Sequence, residues 1–532
     1  MLEIKVGLAQ TNPVVGDYSN NAQEILHLMR QAHNASLDLV IFGELALNGY
    51  PLGDLSYRDD VIRTGETALA QVIEASKEFP TLTCVLGHAA VAESFGPDSQ
   101  VSHAIAHNSA TAFRAGEVIG RYDKQKLPNY DVFDDWRNFI PGNKELIFDV
   151  NGTKCAVAIC EDIWSDKERG AQLAKSGVQL FIVPNGSPYV MGKSIERRTE
   201  AKHFAHGAAI AYVNLAGGQD ELVFDGDSFL VDGEHEVIAA GNDAGLFFDG
   251  NNSRVDDDAK LFDVLVTGLR DYLGKTNQRK VVLGLSGGID SALCAAIARE
   301  AIGPQNVLGV LLPSRYSSDH SIADAEKLAQ NLGIEYRTVP IDPFHKEFEQ
   351  HLELSDLASE NIQARIRAVV LMGISNSEGH LLISTGNKSE VAVGYSTVYG
   401  DSAGGFAPIK DVYKTKVWQL AEHYNERCGS EVIPKNSITK PPSAELRPGQ
   451  VDQDSLPDYQ VLDSILYGLI EQNRTAAEIA ESVHDPETVT RVDKMVRAAE
   501  WKRSQGAIGT KVSEIAFGRG RRVPLTTRFG TL

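Results

Sequence analysis

A strand-like run that turns through two glycines into an alanine-rich segment constrains the fold of this chain more than any other feature. Residues 281–300 read VVLGLSGGIDSALCAAIARE. Glycines let a backbone approach an anion closely, and the first N–H groups of a helix have no partner within it. The segment therefore predicts a strand, a phosphate-binding loop and a helix in succession.

The charged residue of this loop distinguishes it from the P-loop of many nucleotide-binding proteins. A P-loop has a lysine after its glycines, whereas no lysine follows them here and Asp290 places a carboxylate in the loop. Mg²⁺ would explain a carboxylate beside phosphates, because proteins hold this ion with one or two carboxylates plus substrate phosphates. Ser286 and Ser291 add hydroxyl donors. An ordinary turn with a helix cap explains a lone Gly-Gly pair, but not this combination.

The order of predicted elements indicates an α/β fold in both halves. After the loop, strands VLGVLLP, EYRTVPI and HLLIST alternate with helical segments, the longest from 344 to 376. This alternation predicts a doubly wound parallel sheet with ligands at the carboxyl ends of its strands. The first 250 residues also alternate β-rich runs with helical patterns. A Gly, Asn and Asp-rich stretch at 241–258 predicts two domains, 1–250 and 261–532, joined by a linker at 251–260.

Length, charge and cysteine content limit which partners and which cellular compartment are expected for this chain. A chain of 532 residues exceeds what one hydrophobic core usually serves. The formal net charge of −21 argues against nucleic acid and anionic membranes as partners. Five cysteines without CxxC spacing argue against a disulfide framework or a zinc site, and the first residues read as a strand rather than a secretion signal. We therefore expect a cytoplasmic protein that acts on small molecules.

Three predicted strands of the first half end on reactive residues. LDLVIFGE ends on Glu44, CAVAIC ends on Cys160, and the short run in GRYDKQKLPNY reaches Lys124, with Lys126 as the competing lysine. Strand ends are where rigid scaffolds present catalytic groups, so the three side chains could meet in one site. Singly, each has a structural explanation, since buried cysteines are mostly inert and lysines are mostly solvated.

Motifs of the second half resemble the NAD synthetases, which belong to the ATP pyrophosphatases that form AMP. These motifs are SGGIDS, residues 384–411 (STGNKSEVAVGYSTVYGDSAGGFAPIKD), 440–463 (KPPSAELRPGQVDQDSLPDYQVLD) and 501–525. The resemblance implies Asp290 and Glu390 as Mg²⁺ ligands and Lys414 as a possible phosphate contact. It implies ATP contacts at Gly284, Leu285, Ser286, Gly287, Gly288, Ile289, Asp290, Ser291 and Thr385. It implies deamido-NAD contacts at Asn361, Glu390, Asp401 and Lys511.

Motifs of the first half resemble the glutamine amidotransferase branch of the nitrilase superfamily, an α-β-β-α sandwich. They are FGELALNGYP, YDKQKLPNYDVFDD and ICEDIW. The resemblance implies Glu44 as general base, Cys160 as nucleophile and, through the pattern KxxLP, Lys124 as oxyanion donor. It also implies that Tyr130, Ser187 and Lys193 hold glutamine. Asp135 departs from the pattern, because a glutamate is expected there, and this leaves its supporting role open.

Together the two halves resemble the family of glutamine-dependent NAD synthetases. The resemblance implies that ammonia from glutamine amidates deamido-NAD through an adenylate, with release of AMP, diphosphate and glutamate. It also implies a homo-oligomer, and two sites on one chain favour an enclosed ammonia path. Two alternatives stay open: another glutamine-dependent ATP pyrophosphatase, and an amidase with a nucleotide-binding regulatory domain.

Overall fold

A computed structural model describes residues 2–92, 105–249, 257–482 and 485–521 of the chain. The chain divides into two compact units between residues 255 and 256. Residues 251–256 of the predicted linker lie outside the described residues, and so do residues 522–525 of the C-terminal motif. Residues 257–260, also assigned to the linker, form the first turn of a helix. Among the residues that the structure describes, no helix is long and apolar enough to cross a membrane.

The first unit contains six helices and fourteen strands in its described part. The strands are β1 Val6–Gln10, β2 Leu39–Phe42, β3 Thr83–Val91, β4 Ala106–Arg114, β5 Glu117–Asp123, β6 Ile147–Val150, β7 Thr153–Val157, β8 Leu180–Asn185, β9 Ala209–Asn214, β10 Ala216–Gln219, β11 Leu222–Asp225, β12 Phe229–Asp232, β13 His235–Ala239 and β14 Gly245–Phe247. The helices are α1 Tyr18–Asn34, α2 Asp59–Ala75, α3 Asp135–Asn138, α4 Glu161–Ser165, α5 Lys167–Lys175 and α6 Lys193–Ala205.

Two six-stranded sheets with helices on their outer faces confirm the predicted α-β-β-α sandwich. One sheet has the order β14-β1-β2-β3-β4-β5 and the other β13-β12-β9-β8-β7-β6. Strand side chains alternate between faces. Leu39 and Ile41 of β2 accordingly share a core with Leu180 and Ile182 of β8 between the sheets. The intervening β2 residues Val40 and Phe42 pack with α1 and α2 instead.

The second unit contains twelve helices and four strands in its described part. The strands are β15 Val281–Gly284, β16 Val307–Leu311, β17 Glu335–Thr338 and β18 Leu381–Leu382. The helices are α7 Asp257–Lys275, α8 Ile289–Ile302, α9 Asp319–Leu332, α10 Asp342–His351, α11 Asp356–Glu378, α12 Lys388–Val393, α13 Lys414–Cys428, α14 Lys435–Thr439, α15 Tyr459–Ile470, α16 Ala476–Ser482, α17 Pro486–Ala498 and α18 Glu500–Arg503.

The four strands form the predicted parallel sheet, with the order β17-β16-β15-β18. Strand order reverses between β15 and β18, and in open α/β sheets the ligand crevice lies at such a switch point. The loops that follow β15 and β18 therefore meet at the edge where binding is expected. The long helix expected from 344 to 376 is in fact two helices, α10 and α11, because the Ser355 side chain caps α11 by accepting from the backbone N–H of Ala358.

Candidate active sites

A buried lysine lies between two buried carboxylates in the first unit. Glu44 follows β2, and Lys124 follows β5 directly. The Lys124 Nζ donates to Glu44 Oε1 at 2.6 Å and to Asp135 Oδ2 at 2.7 Å. All three side chains are at least 96% buried. The fold thus brings together two of the three predicted catalytic residues and gives Asp135 a direct contact with one of them.

Charge and burial set the protonation of this cluster. Burial opposes the charged form of Lys124, but the carboxylates of Asp135 and Glu44 raise its pKa well above the ordinary value, so it is a fixed cation. Burial raises the pKa of Glu44, and the Lys124 charge opposes this rise. A carboxylate with a raised pKa is a stronger base than an exposed one. The cluster therefore combines a base with a permanent hydrogen-bond donor.

Cys160 lies on a strained turn close to this cluster. Its strand, β7, ends at Val157, so the expectation that the strand runs to Cys160 is wrong. Cys160 has φ of 43° and ψ of −99°, a conformation that a non-glycine residue holds only when its surroundings enforce it. Burial and the Glu44 charge raise the pKa of the Cys160 thiol, while the Lys124 charge lowers it. The thiol is therefore protonated at rest and needs a base for activation.

The three predicted glutamine contacts occupy different surroundings. The Tyr130 hydroxyl donates to Glu161 Oε2 at 2.8 Å, and 55% of Tyr130 is exposed. Ser187 is buried, and its backbone N–H donates to Asn214 Oδ1 at 2.8 Å. Lys193 begins α6, and its Nζ lies 5.6 Å from the Trp164 ring centroid. The competing Lys126 instead pairs with Asp166 at 3.1 Å and is partly exposed.

Several supporting residues of this site were not found by sequence reasoning. Asn108 Nδ2 donates to Glu44 Oε1 at 2.7 Å, and the Gly186 N–H donates to Glu44 Oε2 at 2.8 Å. The Tyr50 hydroxyl donates to Asp135 Oδ1 at 3.0 Å. The sequence gives no signal for Asn108, because its strand β4, AHNSATAFR, also carries the polar residues His107, Ser109 and Thr111.

The glycine loop of the second unit has the predicted form. Gly287 has φ of 75°, and a Cβ there would lie 2.2 Å from the Ser321 carbonyl oxygen, so only glycine fits. The Ser286 and Ser291 hydroxyls lie 3.1 Å apart, and the Gly288 N–H donates to Ser286 Oγ at 3.2 Å. Gly284 and Leu285 precede this turn, and Ile289 begins α8. The loop backbone lies at the switch point, where phosphates would be bound.

A second buried lysine lies between two carboxylates at this loop. Lys414, the first residue of α13, donates from Nζ to Asp290 Oδ2 and lies 3.3 Å from Glu390 Oε1. Asn387 Nδ2 donates to the other Asp290 oxygen at 2.8 Å. Burial raises the pKa of Glu390 to about 8, against the opposing charge of Lys414. Lys414 therefore supplies, from a distant part of the sequence, the cation that the glycine loop lacks.

The arrangement of Asp290 and Glu390 suits a hard divalent cation. Both present carboxylate oxygens to a common point, now taken by the Lys414 ammonium. Within the described residues, no cluster of three or more acidic, His or Cys side chains is arranged to hold a metal. Mg²⁺ does not need such a cage, because it is commonly bound by one or two carboxylates together with substrate phosphates. The two carboxylates therefore fit Mg²⁺ brought by a nucleotide.

The predicted dinucleotide contacts are partly brought together. Asn361 Oδ1 accepts from Thr397 Oγ1 at 2.9 Å, and the Thr397 N–H donates to Asp401 Oδ1 at 2.6 Å. Thr385 lies half-buried in the segment between β18 and α12. Lys511 is buried, and its Nζ donates to the backbone oxygens of Ser513 and Glu514.

One cavity of the second unit is lined by two of the predicted residues, Glu390 and Asp401, and by two lysines that the sequence analysis did not identify. It is lined by Ser384, Gly386, Glu390, Asp401, Lys410 and Lys502, among others. Lys502 Nζ donates to the carbonyls of Gly394 and Ser396, both at 2.8 Å. The cavity lining thus combines cations, Lys410, Lys502 and Arg503, with the carboxylates Glu390 and Asp401. Lys511 is not among the residues that line this cavity.

Comparison with known proteins gives matches in both units. Residues 5–245 match the carbon-nitrogen hydrolase family, and residues 261–506 match the NAD synthase family. The chain is 42% identical to the glutamine-dependent NAD(+) synthetase of Thermotoga maritima, over 99% of both chains. It is 41% identical to that of Acinetobacter baylyi, over 99% of this chain and 98% of the relative.

Solved structures match over both units as well. The glutamine-dependent NAD+ synthetase of Acinetobacter baumannii, solved in complex with ADP, has a TM-score of 0.77 at 37% identity and 98% coverage of both chains. The glutamine-dependent NAD(+) synthetase of Cytophaga hutchinsonii has a TM-score of 0.84 at 22% identity, with 99% and 98% coverage, which shows a common fold.

Proposed function

The chain belongs to the family of glutamine-dependent NAD(+) synthetases, and from this premise we propose how its residues divide the reaction. The enzyme amidates deamido-NAD to NAD with ATP and with glutamine as nitrogen donor. We assign glutamine hydrolysis to the first unit and carboxylate activation to the second. The observation that carries this assignment is that the first unit places Cys160 beside the Lys124–Glu44 pair, whereas the second unit pairs Asp290, which follows the glycine loop, with Lys414.

In the first unit, Glu44 acts as general base and Cys160 as nucleophile. Glu44 takes the thiol proton, and the thiolate attacks the side-chain amide carbonyl of glutamine. Lys124 donates a hydrogen bond to the oxyanion of the tetrahedral intermediate. Glu44 then returns the proton to the leaving ammonia, and water hydrolyses the thioester to glutamate. Tyr130, Ser187 and Lys193 are proposed to hold glutamine.

In the second unit, the nicotinate carboxylate of deamido-NAD attacks the α-phosphate of ATP, and diphosphate leaves. Ammonia then displaces AMP from the adenylate. The backbone of residues 284–291 and Thr385 are proposed to bind ATP, and Lys414 to contact its phosphates. Asn361, Glu390, Asp401 and Lys511 are proposed to bind deamido-NAD, although the ammonium of Lys511 now donates to backbone carbonyls. Catalysis here comes from positioning and charge stabilisation, because little covalent chemistry falls to the protein.

Asp290 and Glu390 are the proposed Mg²⁺ ligands. When bound, Mg²⁺ supplies charge neutralisation on the ATP phosphates. The Lys414 ammonium, which now pairs with both carboxylates, is then free to turn toward the phosphates. We further propose a cytoplasmic, homo-oligomeric enzyme. Its five cysteines are free thiols, which suits a reducing compartment.

Two substitutions separate the proposed roles of the units. Cys160→Ala is expected to abolish glutamine-dependent NAD synthesis and to leave ammonia-dependent synthesis intact. Asp290→Asn is expected to remove AMP formation with either nitrogen source. Cys155→Ala, a second buried cysteine of the same unit, and Asp319→Asn, an exposed aspartate that begins the next helix, are the matched controls. Glutamine-dependent synthesis by Cys160→Ala, or full AMP formation by Asp290→Asn, would contradict the assignment.

A further inference from the structure

Asp162 is a buried carboxylate that accepts four hydrogen bonds. It lies in α4, two residues after Cys160, and none of it is exposed. Its Oδ2 accepts from the Ile159 N–H at 2.8 Å and from the Tyr122 hydroxyl at 2.8 Å. Its Oδ1 accepts from the Lys126 N–H at 2.8 Å and from the Gln125 N–H at 3.2 Å.

These four donors belong to two separate segments that carry the proposed catalytic groups. Ile159 directly precedes Cys160, whereas Tyr122, Gln125 and Lys126 flank Lys124. We propose that Asp162 is a positioning residue that fixes the nucleophile Cys160 relative to the oxyanion donor Lys124. This inference rests on the roles of Cys160 and Lys124 proposed above, and it adds a residue that contacts neither glutamine nor the reacting atoms.

Only an ionised carboxylate satisfies all four donors. It presents two acceptor oxygens with about four lone-pair sites and no donor, whereas an amide presents one oxygen and an NH₂ group. With asparagine at 162, the NH₂ group would face either the two backbone N–H groups of the Lys124 segment or the donors at Ile159 and Tyr122. One of the two links would therefore be lost. The Arg169 guanidinium, 5.1 Å from the Tyr122 ring centroid, supplies positive charge nearby.

The strained backbone of Cys160 makes its position sensitive to this link. A residue with φ of 43° and ψ of −99° stays there only while its neighbours hold it, and the Ile159 N–H is one of the groups that Asp162 holds. The buried Cys160 thiol interacts electrostatically with the charges of four residues: Glu44, Lys124, Glu161 and Asp135. Among these, the Lys124 cation favours the thiolate, so displacement of the Lys124 segment weakens thiolate formation.

The test compares Asp162→Asn and Tyr122→Phe with Asp38→Asn as matched control. Asp38 also accepts from a backbone N–H, that of Lys5 at 2.7 Å, and from Asn151, away from the catalytic segments. Because a displacement of about 1 Å can cost about 100-fold, we expect Asp162→Asn to lower the glutaminase kcat by about that factor. Tyr122→Phe removes one donor, and we expect a loss of about tenfold. The KM for glutamine should change far less than kcat in both variants.

Alkylation of Cys160 by iodoacetamide across a pH series supplies a readout that a purely structural role would not move. In both variants the pH at which the thiol reacts at half its maximal rate should rise, and in Asp38→Asn it should not. Circular dichroism and the thermal unfolding midpoint, compared with those of wild type, show whether each variant is folded, because ammonia-dependent NAD synthesis reports only on the second unit. If Asp162→Asn fails to fold, Tyr122→Phe decides the question by itself.

Two results would overturn the inference: an unchanged alkylation profile in the folded variants, or a loss confined to KM. Cys160→Ala is assayed in parallel to distinguish two failures. If it retains glutaminase activity, the proposed nucleophile is wrong. If it is inactive while the folded test variants, Tyr122→Phe included, behave as wild type, only the positioning role of Asp162 is wrong.

Discussion

Replacement of Asp135 by asparagine tests the Lys124 cluster directly. Asp135 Oδ2 accepts from Lys124 Nζ at 2.7 Å, and Oδ1 accepts from the Tyr50 hydroxyl at 3.0 Å. In Asp135→Asn the amide oxygen keeps one of these bonds, and the NH₂ group faces the other donor. Because the ammonium is the stronger donor, the amide oxygen is expected to face Lys124, and the NH₂ group then faces the Tyr50 hydroxyl, which can accept from it. Lys124 then has a neutral acceptor at residue 135 and keeps only one carboxylate, that of Glu44.

The size of the effect follows from the bond that is weakened. A hydrogen bond to a charged group contributes about 1.5–3 kcal/mol net. Since about 1.4 kcal/mol corresponds to a tenfold change in rate, the glutaminase kcat/KM should fall about 10- to 150-fold. The sign of a second effect is also fixed. The Asp135 charge raises the pKa of Glu44, so its removal lets this pKa fall and moves the acidic limb of the pH–rate profile to lower pH.

The assay is glutamate release as a function of pH, with Asp134→Asn as the neighbouring control. Ammonia-dependent NAD synthesis by the same preparations shows that the second unit is intact. Glutaminase activity within about threefold of wild type would mean that Asp135 does not support Lys124, since a lost charged hydrogen bond costs more than that. An acidic limb that moves to higher pH would contradict the charge argument.

Three further predictions concern pH, ammonia and assembly. Burial lowers the pKa of His88 to about 4, so the unfolded chain binds more protons than the folded chain between pH 6.5 and 4, and stability falls as pH drops through that window. We expect the free energy of unfolding, measured with urea, to fall between pH 7.5 and pH 5 by about 2 kcal/mol less in His88→Gln than in wild type. An equal decrease in both proteins would refute this. Isotope-labelled external ammonium should enter NAD only weakly during glutamine turnover; free entry would exclude an enclosed ammonia path. Light scattering should give a multiple of the chain mass, and a monomer would refute assembly.

Much of the fold, and the form of the phosphate loop, could be predicted from local sequence. The strand, glycines and helix at 281–300 are contiguous, so their structure follows from short-range rules, and the loop has the predicted form. The partners of Asp290 are Asn387 and Lys414, 97 and 124 residues away. Nothing local to the loop indicates these partners, and only the family resemblance pointed to Lys414.

The predicted ends of two elements are wrong because a local sequence pattern does not show where a strand or helix stops. The apolar run CAVAIC predicts a strand to Cys160, but β7 stops at Val157, three residues before the strained backbone of Cys160. The helical pattern from 344 to 376 hides the break that the Ser355 cap creates between α10 and α11. Asp135 departs from the expected glutamate, yet its carboxylate reaches Lys124, which no sequence pattern could establish.

One measurement tests the coupled reaction most directly: quantification of NAD, AMP and glutamate together, with ATP, Mg²⁺, deamido-NAD and glutamine as the sole nitrogen source. The account predicts that NAD and AMP form in equal amounts and that both depend on glutamine hydrolysis, with no NAD formed by Cys160→Ala. Glutamate without AMP or NAD would contradict it, because the first unit would then be an amidase joined to a nucleotide-binding domain with another task.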